Sequence, residues 1–217
     1  MERSILLQTA LFRGCTETEL QALQFRKKQY RKGEMILSAG ASVQDICIVL
    51  NGTVQITRID ICGNANILSL IGKGQIFAEA YACVPEQPLL VEATAQTDCK
   101  VLFFPVAQLS DTAPLPVRLK ILQNLIRISA AKNLHLSQKI FHTSAKTIRG
   151  RVLSYLSQLV TEQRCMHVSI PFDRQGMADY LNLDRSALSK ELSAMQRDGL
   201  ISFSKNQFTL HIEPQAE

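Results

Sequence analysis

The 217-residue sequence has no apolar run near the roughly 18–20 residues that a membrane-spanning helix needs, its longest candidates being residues 46–50 and 67–71. No bilayer crossing is expected. Its start, Met1-Glu2-Arg3-Ser4-Ile5-Leu6-Leu7, sets an acid beside the only early base and lacks a small-residue cleavage site after a long apolar core, unlike a signal peptide. A cytoplasmic protein is the expectation. The sequence also lacks any close cysteine pair: Cys15, Cys47, Cys62, Cys83, Cys99 and Cys165 are scattered, with no C-x-x-C, which argues against structural zinc and iron–sulfur centres. Cys47 and Cys99 lie inside apolar runs, where a thiol behaves as a small hydrophobe rather than a redox sensor. No histidine precedes His135, and there is no Ser/His/Asp set, P-loop, H-E-x-x-H or G-x-G-x-x-G after a strand, so an enzyme is not expected.

Acids are missing from one long stretch. Between Asp111 and Glu162 there is none, whereas Arg118, Lys120, Arg127, Lys132, Lys139, Lys146, Arg149 and Arg151 all fall there. Residues 1–112 carry ten Lys/Arg and eleven Asp/Glu, and residues 113–217 carry fourteen and eight, so the formal charge of +5 belongs to the second half. A basic half joined to a near-neutral one points to a polyanion partner, the alternative being a solvated helix face. With 46% hydrophobic and 20% charged residues the chain is not disordered, and its length fits one large domain or two small ones.

Helical spacing in residues 4–12 is followed by Thr16 and Glu19, a capping box in which each side chain satisfies a free N–H of the other's turn. From about residue 29 to 104 short β-rich runs follow, at 35–37, 45–50, 53–58, 66–71 and 93–104. Turn residues separate them, at Lys32-Gly33, Ala39-Gly40, Asn51-Gly52, Cys62-Gly63-Asn64 and Lys73-Gly74, as in an antiparallel barrel or roll. Asn51-Gly52 predicts a tight hairpin. After Pro114 and Pro116, residues 117–141 contain neither Gly nor Pro, and Leu115, Leu119, Leu122, Ile126, Ser129/Ala130, Asn133, Leu136 and Ile140 recur in alternating steps of four and three. Such a seam predicts a long helix that pairs with a second copy or packs on its own barrel. Asn133 on it suits a register-setting contact or a ligand contact. A further helix, capped by Thr143 or Ser144, runs to about residue 163 with Val152, Leu153, Leu156, Leu159 and Val160 as its apolar face.

Residues 173–180 (Asp-Arg-Gln-Gly-Met-Ala-Asp-Tyr) open with a capping aspartate, and Met177, Ala178 and Leu181 point inward. The link Leu181-Asn182-Leu183 offers Asn for a left-handed turn, and Asp184 caps a second helix over 185–198 with Leu188, Leu192 and Met195 inward. Two short helices with a three-residue turn match a helix-turn-helix, and residues 200–203 and 208–210 around Lys205-Asn206 form a wing. The outward start of the second helix presents Arg185, Ser186, Ser189 and Lys190, whose groups pair with base edges. Arg174, Gln175 and Lys205 at the rim suit phosphates.

In these residues the sequence resembles the cyclic-AMP receptor protein/FNR (Crp/Fnr) family of bacterial transcription regulators. The resemblance covers the roll with Gly33, Gly40, Gly52 and Gly74, the segment Phe77-Ala78-Glu79, the long helix, and Arg174-Gln175 through Leu200-Ile201. The fold it implies is α+β: an N-terminal antiparallel β-roll like a cyclic-nucleotide-binding domain (1–112), a central dimerisation helix (113–142) and a C-terminal winged helix-turn-helix (143–217). It implies a homodimer on a palindromic double-stranded operator, RNA polymerase as a partner, and a small-molecule effector in the roll that adjusts the recognition helices. The dimer helix would use Leu119, Leu122, Ile126, Asn133, Leu136 and Ile140.

The chain departs from the cyclic-nucleotide-binding pattern. Ala78-Glu79-Ala80 replaces Gly-Glu-Leu, and Gln87-Pro88-Leu89 stands where Arg-Ser-Ala would hold the cyclic phosphate, removing a charge-assisted partner and a backbone donor. Cyclic AMP is therefore not the expected effector. Cys15 alone does not supply the cysteine set of the oxygen-sensing branch, and no sensor-domain histidine offers a haem ligand, so no haem, iron–sulfur cluster or metal is expected. What remains is a pocket walled by Ile71, Phe77, Tyr81, Leu89 and Leu90, with Glu79, Tyr81, Gln87 and Asn133 as polar contacts, suited to a small, mostly apolar metabolite. A filled roll, an effector-independent DNA binder, or a ligand sensor that signals to a protein partner are the alternatives. Ser186 replaces the glutamate that many members aim at cytosine, so the operator need not be the usual one.

Overall fold

Strands β1 (Arg26–Tyr30), β2 (Met35–Leu37), β3 (Asp45–Asn51), β4 (Val54–Ile59), β5 (Ala65–Ile71) and β6 (Ile76–Phe77) follow two short helices, α1 (Glu2–Leu7) and α2 (Glu17–Gln21). Helix α3 (Glu79–Cys83) leads to β7 (Glu92–Ala95) and β8 (Cys99–Pro105). Then come α4 (Leu115–Ser144), α5 (Ile148–Gln163), β9 (His167–Ser169), α6 (Arg174–Leu181), α7 (Arg185–Arg197), β10 (Ile201–Ser204) and β11 (Gln207–Leu210). These elements come from a computed structural model, which describes residues 2–59, 65–84, 86–110 and 113–211. The turn expected at Cys62-Gly63-Asn64 lies outside the described residues. Contacts divide the chain into two compact units, Met1–Ala130 and Ala131–Glu217, with the division inside α4.

The first unit holds two antiparallel sheets, in the orders β1-β8-β3-β6 and β2-β7-β4-β5. Side chains alternate along a strand. In β3 and β8 both alternating sets are buried: Cys47, Val49, Val101 and Phe103 join a cluster with Phe77 of β6 and with Val54, Ala93 and Ala95 of the second sheet. Ile46, Ile48, Leu102 and Phe104 face the other way, onto Leu11, Phe12, Leu20, Val117, Ile121 and Leu125. A sheet covered on both faces reads as unbroken apolar runs, as these strands do.

Three expectations for the roll change. The 93–104 run is two strands in different sheets, β7 and β8, because the chain crosses from one sheet to the other at residues 96–98. Asn51-Gly52 is a corner rather than a hairpin: β3 and β4 belong to different sheets, and β4 pairs with β5 and β7. Gly52 is required there twice over, by its φ of +81° and because a Cβ would sit 2.3 Å from the carbonyl oxygen of Asp98. Strand β1 starts earlier than expected, at Arg26, since an edge strand with an exposed Arg-Lys-Lys-Gln run carries no apolar alternation.

Helix α4 is 30 residues long, about 45 Å at 1.5 Å per residue. It carries two apolar stripes. Val117, Ile121 and Leu125 are buried in the first unit's core, and Asn124 beside them donates to the carbonyls of Leu11 (3.0 Å) and Arg13 (2.9 Å). Leu115, Leu119, Leu122 and Ile126 lie on the far side, exposed; Asn133, Leu136 and Ile140, in the part of α4 that belongs to the second unit, are also exposed. The seam is thus separate from the stripe that packs on the roll.

In the second unit, α5, α6 and α7 enclose Val152, Leu156, Val160, Met177, Leu181, Leu188, Leu192 and Met195 with the three-stranded antiparallel sheet β10-β11-β9. The cap of α5 is Thr147, which accepts from the Gly150 amide at 3.0 Å. Thr143 and Ser144, the expected caps, instead end α4 and donate to the carbonyls of Lys139 and Phe141. A hydroxyl can satisfy a helix end from either side, which the sequence alone does not distinguish.

Candidate nucleic-acid interface

Each helix of the pair is fixed at its start by an aspartate: Asp173 accepts from the Gly176 amide (2.7 Å) and Asp184 from the Ala187 amide (2.9 Å). The Ser186 hydroxyl donates to the same Asp184 carboxylate at 2.5 Å. That hydrogen bond first, and the Ala187 amide after it, hold the Asp184 carboxyl below its ordinary pKa. Asn182 turns the chain between the helices at φ +54°. Arg151 of α5 clamps this turn: its Nη1 donates to the carbonyls of Leu181 (3.2 Å) and Asn182 (3.0 Å), and its Nε to that of Ala145 (2.9 Å).

With Leu188, Leu192 and Met195 fully buried, the opposite face of α7 presents Arg185, Ser186 and Lys190 exposed and Ser189 half-exposed. The four expected base-reading side chains therefore share one solvent face at the start of one helix. Ser186 is engaged by Asp184, which leaves its oxygen lone pairs as acceptors.

The rim residues behave less uniformly. Lys205 is exposed at the wing turn with φ +52°. Gln175 is exposed and its amide nitrogen donates to Asp179 at 2.8 Å. Arg174 is half-buried, with its guanidinium 5.0 Å from the Phe203 ring centre and 5.5 Å from that of Phe208. Desolvation there lowers its pKa.

Much of the acid-free basic stretch is engaged inside the protein. Arg149 Nε donates to Glu191 (2.6 Å) and its Nη2 lies 2.8 Å from Asp198, so α5 holds the middle and end of α7; both carboxylates push the Arg149 pKa up, Glu191 more. Lys120 pairs with Glu19 at 2.7 Å, and Arg118 donates to the Ser110 carbonyl. With Arg151, at least half of the eight cations serve internal acceptors. Sequence reasoning treated Arg149 and Arg151 as loose charge; their acceptors lie 30 to 49 positions along the chain, apart from Ala145, and no local signal marks them.

Of the expected effector contacts, Glu79 and Leu89 are buried, Tyr81 is half-buried with its hydroxyl accepting from the Leu90 amide (3.4 Å), and Gln87 and Leu90 are exposed. Phe77 and Leu89 belong to core clusters. Asn133 belongs to the second unit, where its Oδ1 accepts from Ser137 at 3.4 Å. A cavity of about 700 Å³ in the first unit is lined in part by Gln29, Arg31, Asn51 and Lys100, and by none of the expected contacts. Cys47 and Cys99 are buried as expected, and burial raises both thiol pKa values. Cys83 and Cys165 are exposed, so burial does not describe every cysteine; Cys62 lies outside the described residues. Among the described residues no group of three or more His, Cys, Asp and Glu is arranged to hold a metal, and no helix is long and apolar enough to cross a membrane.

A family model described as the cyclic nucleotide-binding domain matches residues 27–113, and one described as the Crp-like helix-turn-helix domain matches residues 150–213. The chain is similar to the transcriptional activator protein FnrL of Cereibacter sphaeroides, with 22% identity over 202 residues, covering 87% of this chain and 78% of that one. It is similar at 22% identity over 204 residues to a CRP-like cAMP-activated global transcriptional regulator of Mycobacterium tuberculosis, covering 91% and 90%. Among solved structures, the c-di-GMP responsive global regulator CLP of Xanthomonas campestris matches with a TM-score of 0.59 at 18% identity, over 90% of this chain and 97% of that one, a likeness of fold.

Proposed function

Because the chain belongs to the Crp/Fnr family of transcription regulators, we propose that it binds a palindromic operator as a homodimer, reading each half-site with α7, under control of a small molecule other than cyclic AMP. DNA binding and transcription regulation are the family's activity rather than catalysis. The observation that carries the finer reading is the single face of α7 on which Arg185, Ser186, Ser189 and Lys190 stand while Leu188, Leu192 and Met195 anchor the opposite side. Support for dimerisation is the exposed row Leu119, Leu122, Ile126, Leu136 and Ile140, an apolar seam at heptad spacing that a second copy would cover. RNA polymerase is the protein partner this role calls for.

Support for an effector other than cyclic AMP is the chemistry at the roll: Glu79, Tyr81, Gln87, Pro88 and Leu89 include no cation to meet a phosphate. An effector acts only if it binds one dimer geometry better than another. The burial of Phe77 and Leu89 in the core favours a second reading, in which operator binding needs no effector.

Selecting duplexes from a random pool with the full-length protein tests the DNA assignment. Arg185→Ala should cost about 1–3 kcal/mol on the selected duplex and relax one base position. Equal losses on selected and random DNA would overturn the base-reading role. A metabolite panel read by thermal stabilisation and operator affinity decides between the two readings of the roll, and micromolar cyclic AMP binding by calorimetry would overturn the exclusion.

A further inference from the structure

Arg174, at the first position of α6, lies across the aromatic pair of the wing. Phe203 of β10 and Phe208 of β11 stack at 5.5 Å, and the guanidinium sits within 5.5 Å of both ring centres. Its Nη2 reaches the carbonyl oxygen of Lys205 at 3.5 Å, in the left-handed turn of the hairpin, and its Nη1 the Met177 sulfur at 3.8 Å. One side chain thus touches the first helix of the pair, both wing strands and the wing turn. Lys205 itself is exposed, at the turn that Arg174 holds.

We propose that Arg174 is a positioning residue for DNA binding: it fixes the wing against α6 so that Lys205 meets a backbone phosphate, rather than supplying a phosphate contact of its own. The inference rests on the DNA-binding reading and deepens it. A flat guanidinium suits this place, since it stacks on aromatic faces while its edge donates to a carbonyl; the compact, strongly hydrated ammonium of lysine has no such face. Burial lowers the Arg174 pKa, in keeping with a group drawn onto the rings.

The experiment uses the full-length protein and the duplex selected with the unaltered chain. Arg174→Lys keeps the charge and removes the planar stack. It should lose affinity about as much as Arg174→Ala, on the order of tenfold, and the loss should not add to that of Lys205→Ala in a double-mutant cycle. Phe203→Leu, which leaves both cations in place, should show the same loss and the same lack of additivity, and keeps the test open where Arg174→Ala folds poorly. A direct phosphate role predicts the opposite: near-normal affinity and salt dependence for Arg174→Lys, and additive losses with Lys205→Ala. That result, or a lowered melting temperature with unchanged affinity, would overturn the proposal. Failure to select any duplex would instead count against the DNA reading itself.

Discussion

Ala78 carries the backbone through φ +63° just before α3, a conformation that costs an L-residue with a Cβ roughly 1–2 kcal/mol. The Crp/Fnr pattern has glycine at this position. Ala78→Gly should therefore raise stability by about 1 kcal/mol, less than the full strain because glycine gains freedom in the unfolded chain. Paired urea melts of the two proteins would check it, and an unchanged or lower midpoint would contradict the strain argument. At this same scale the outward placement of Arg185, Ser186, Ser189 and Lys190 was readable in advance, since four-and-three spacing of Leu188, Leu192 and Met195 dictates which side chains face out. Arg174 was readable only in part: its charge and its place at the rim were visible, but its contact with Phe203 and Phe208 depends on chain folding across some thirty residues.

At the scale of elements, His142 joins the end of α4 to α5 and α6. The ring is 1% exposed, its Nδ1 lies 2.9 Å from the Ser154 hydroxyl, and it packs edge-on to Tyr155 at 5.6 Å and near Tyr180 at 6.3 Å. The charged and titratable groups around it are Glu162 of α5, Lys139 of α4, whose ammonium lies 5.7 Å from the Tyr180 ring centre, and His135, 6.2 Å from that ring. Burial outweighs the Gln158 hydrogen bond and the Glu162 charge, so the folded pKa falls below the ordinary 6.5. The unfolded chain then takes up a proton more readily than the folded one. Stability is complete above about pH 6.5 and declines as pH drops through the window down to the folded pKa. Thermal melts at about pH 7.5 and about pH 5.5 should differ, and His142→Phe should narrow the difference. Equal pH dependence in both proteins would exclude this group. Elements with amphipathic spacing or polar caps, such as α2, α6 and α7, were legible in the sequence. Strand β1 and the change of sheet at Gly52 were not, because edge exposure and the close approach of Asp98 are tertiary facts.

For the whole molecule, the separation of the two stripes on α4 predicts a clean division of phenotypes. Ile121→Ala, in the core, should cost about 2–5 kcal/mol of stability. Ile126→Glu, at a position 68% exposed, should leave the fold intact while weakening self-association and, with it, operator affinity. Sedimentation equilibrium beside a urea melt checks both; a variant at Ile126 that remains as tightly associated as the parent would remove the seam from the dimer. The architecture of roll, long helix and winged helix-turn-helix was legible from turn spacing and periodicity. The occupancy of the roll was not, since whether Phe77 and Leu89 fill space or line it depends on how two sheets close.

The bonds from Arg149 to Glu191 and Asp198 bear on how the molecule finds its site. A close ion pair looks neutral from farther than the screening distance of about 10 Å at 0.1 M salt, so Arg149 pulls on no distant duplex. The exposed cations left to draw DNA on the proposed reading, among them Arg185, Lys190 and Lys205, are fewer than the count of basic residues in this half of the chain. On the proposed reading, fewer long-range contacts would mean a weaker hold on random sequence and a shallower dependence on salt.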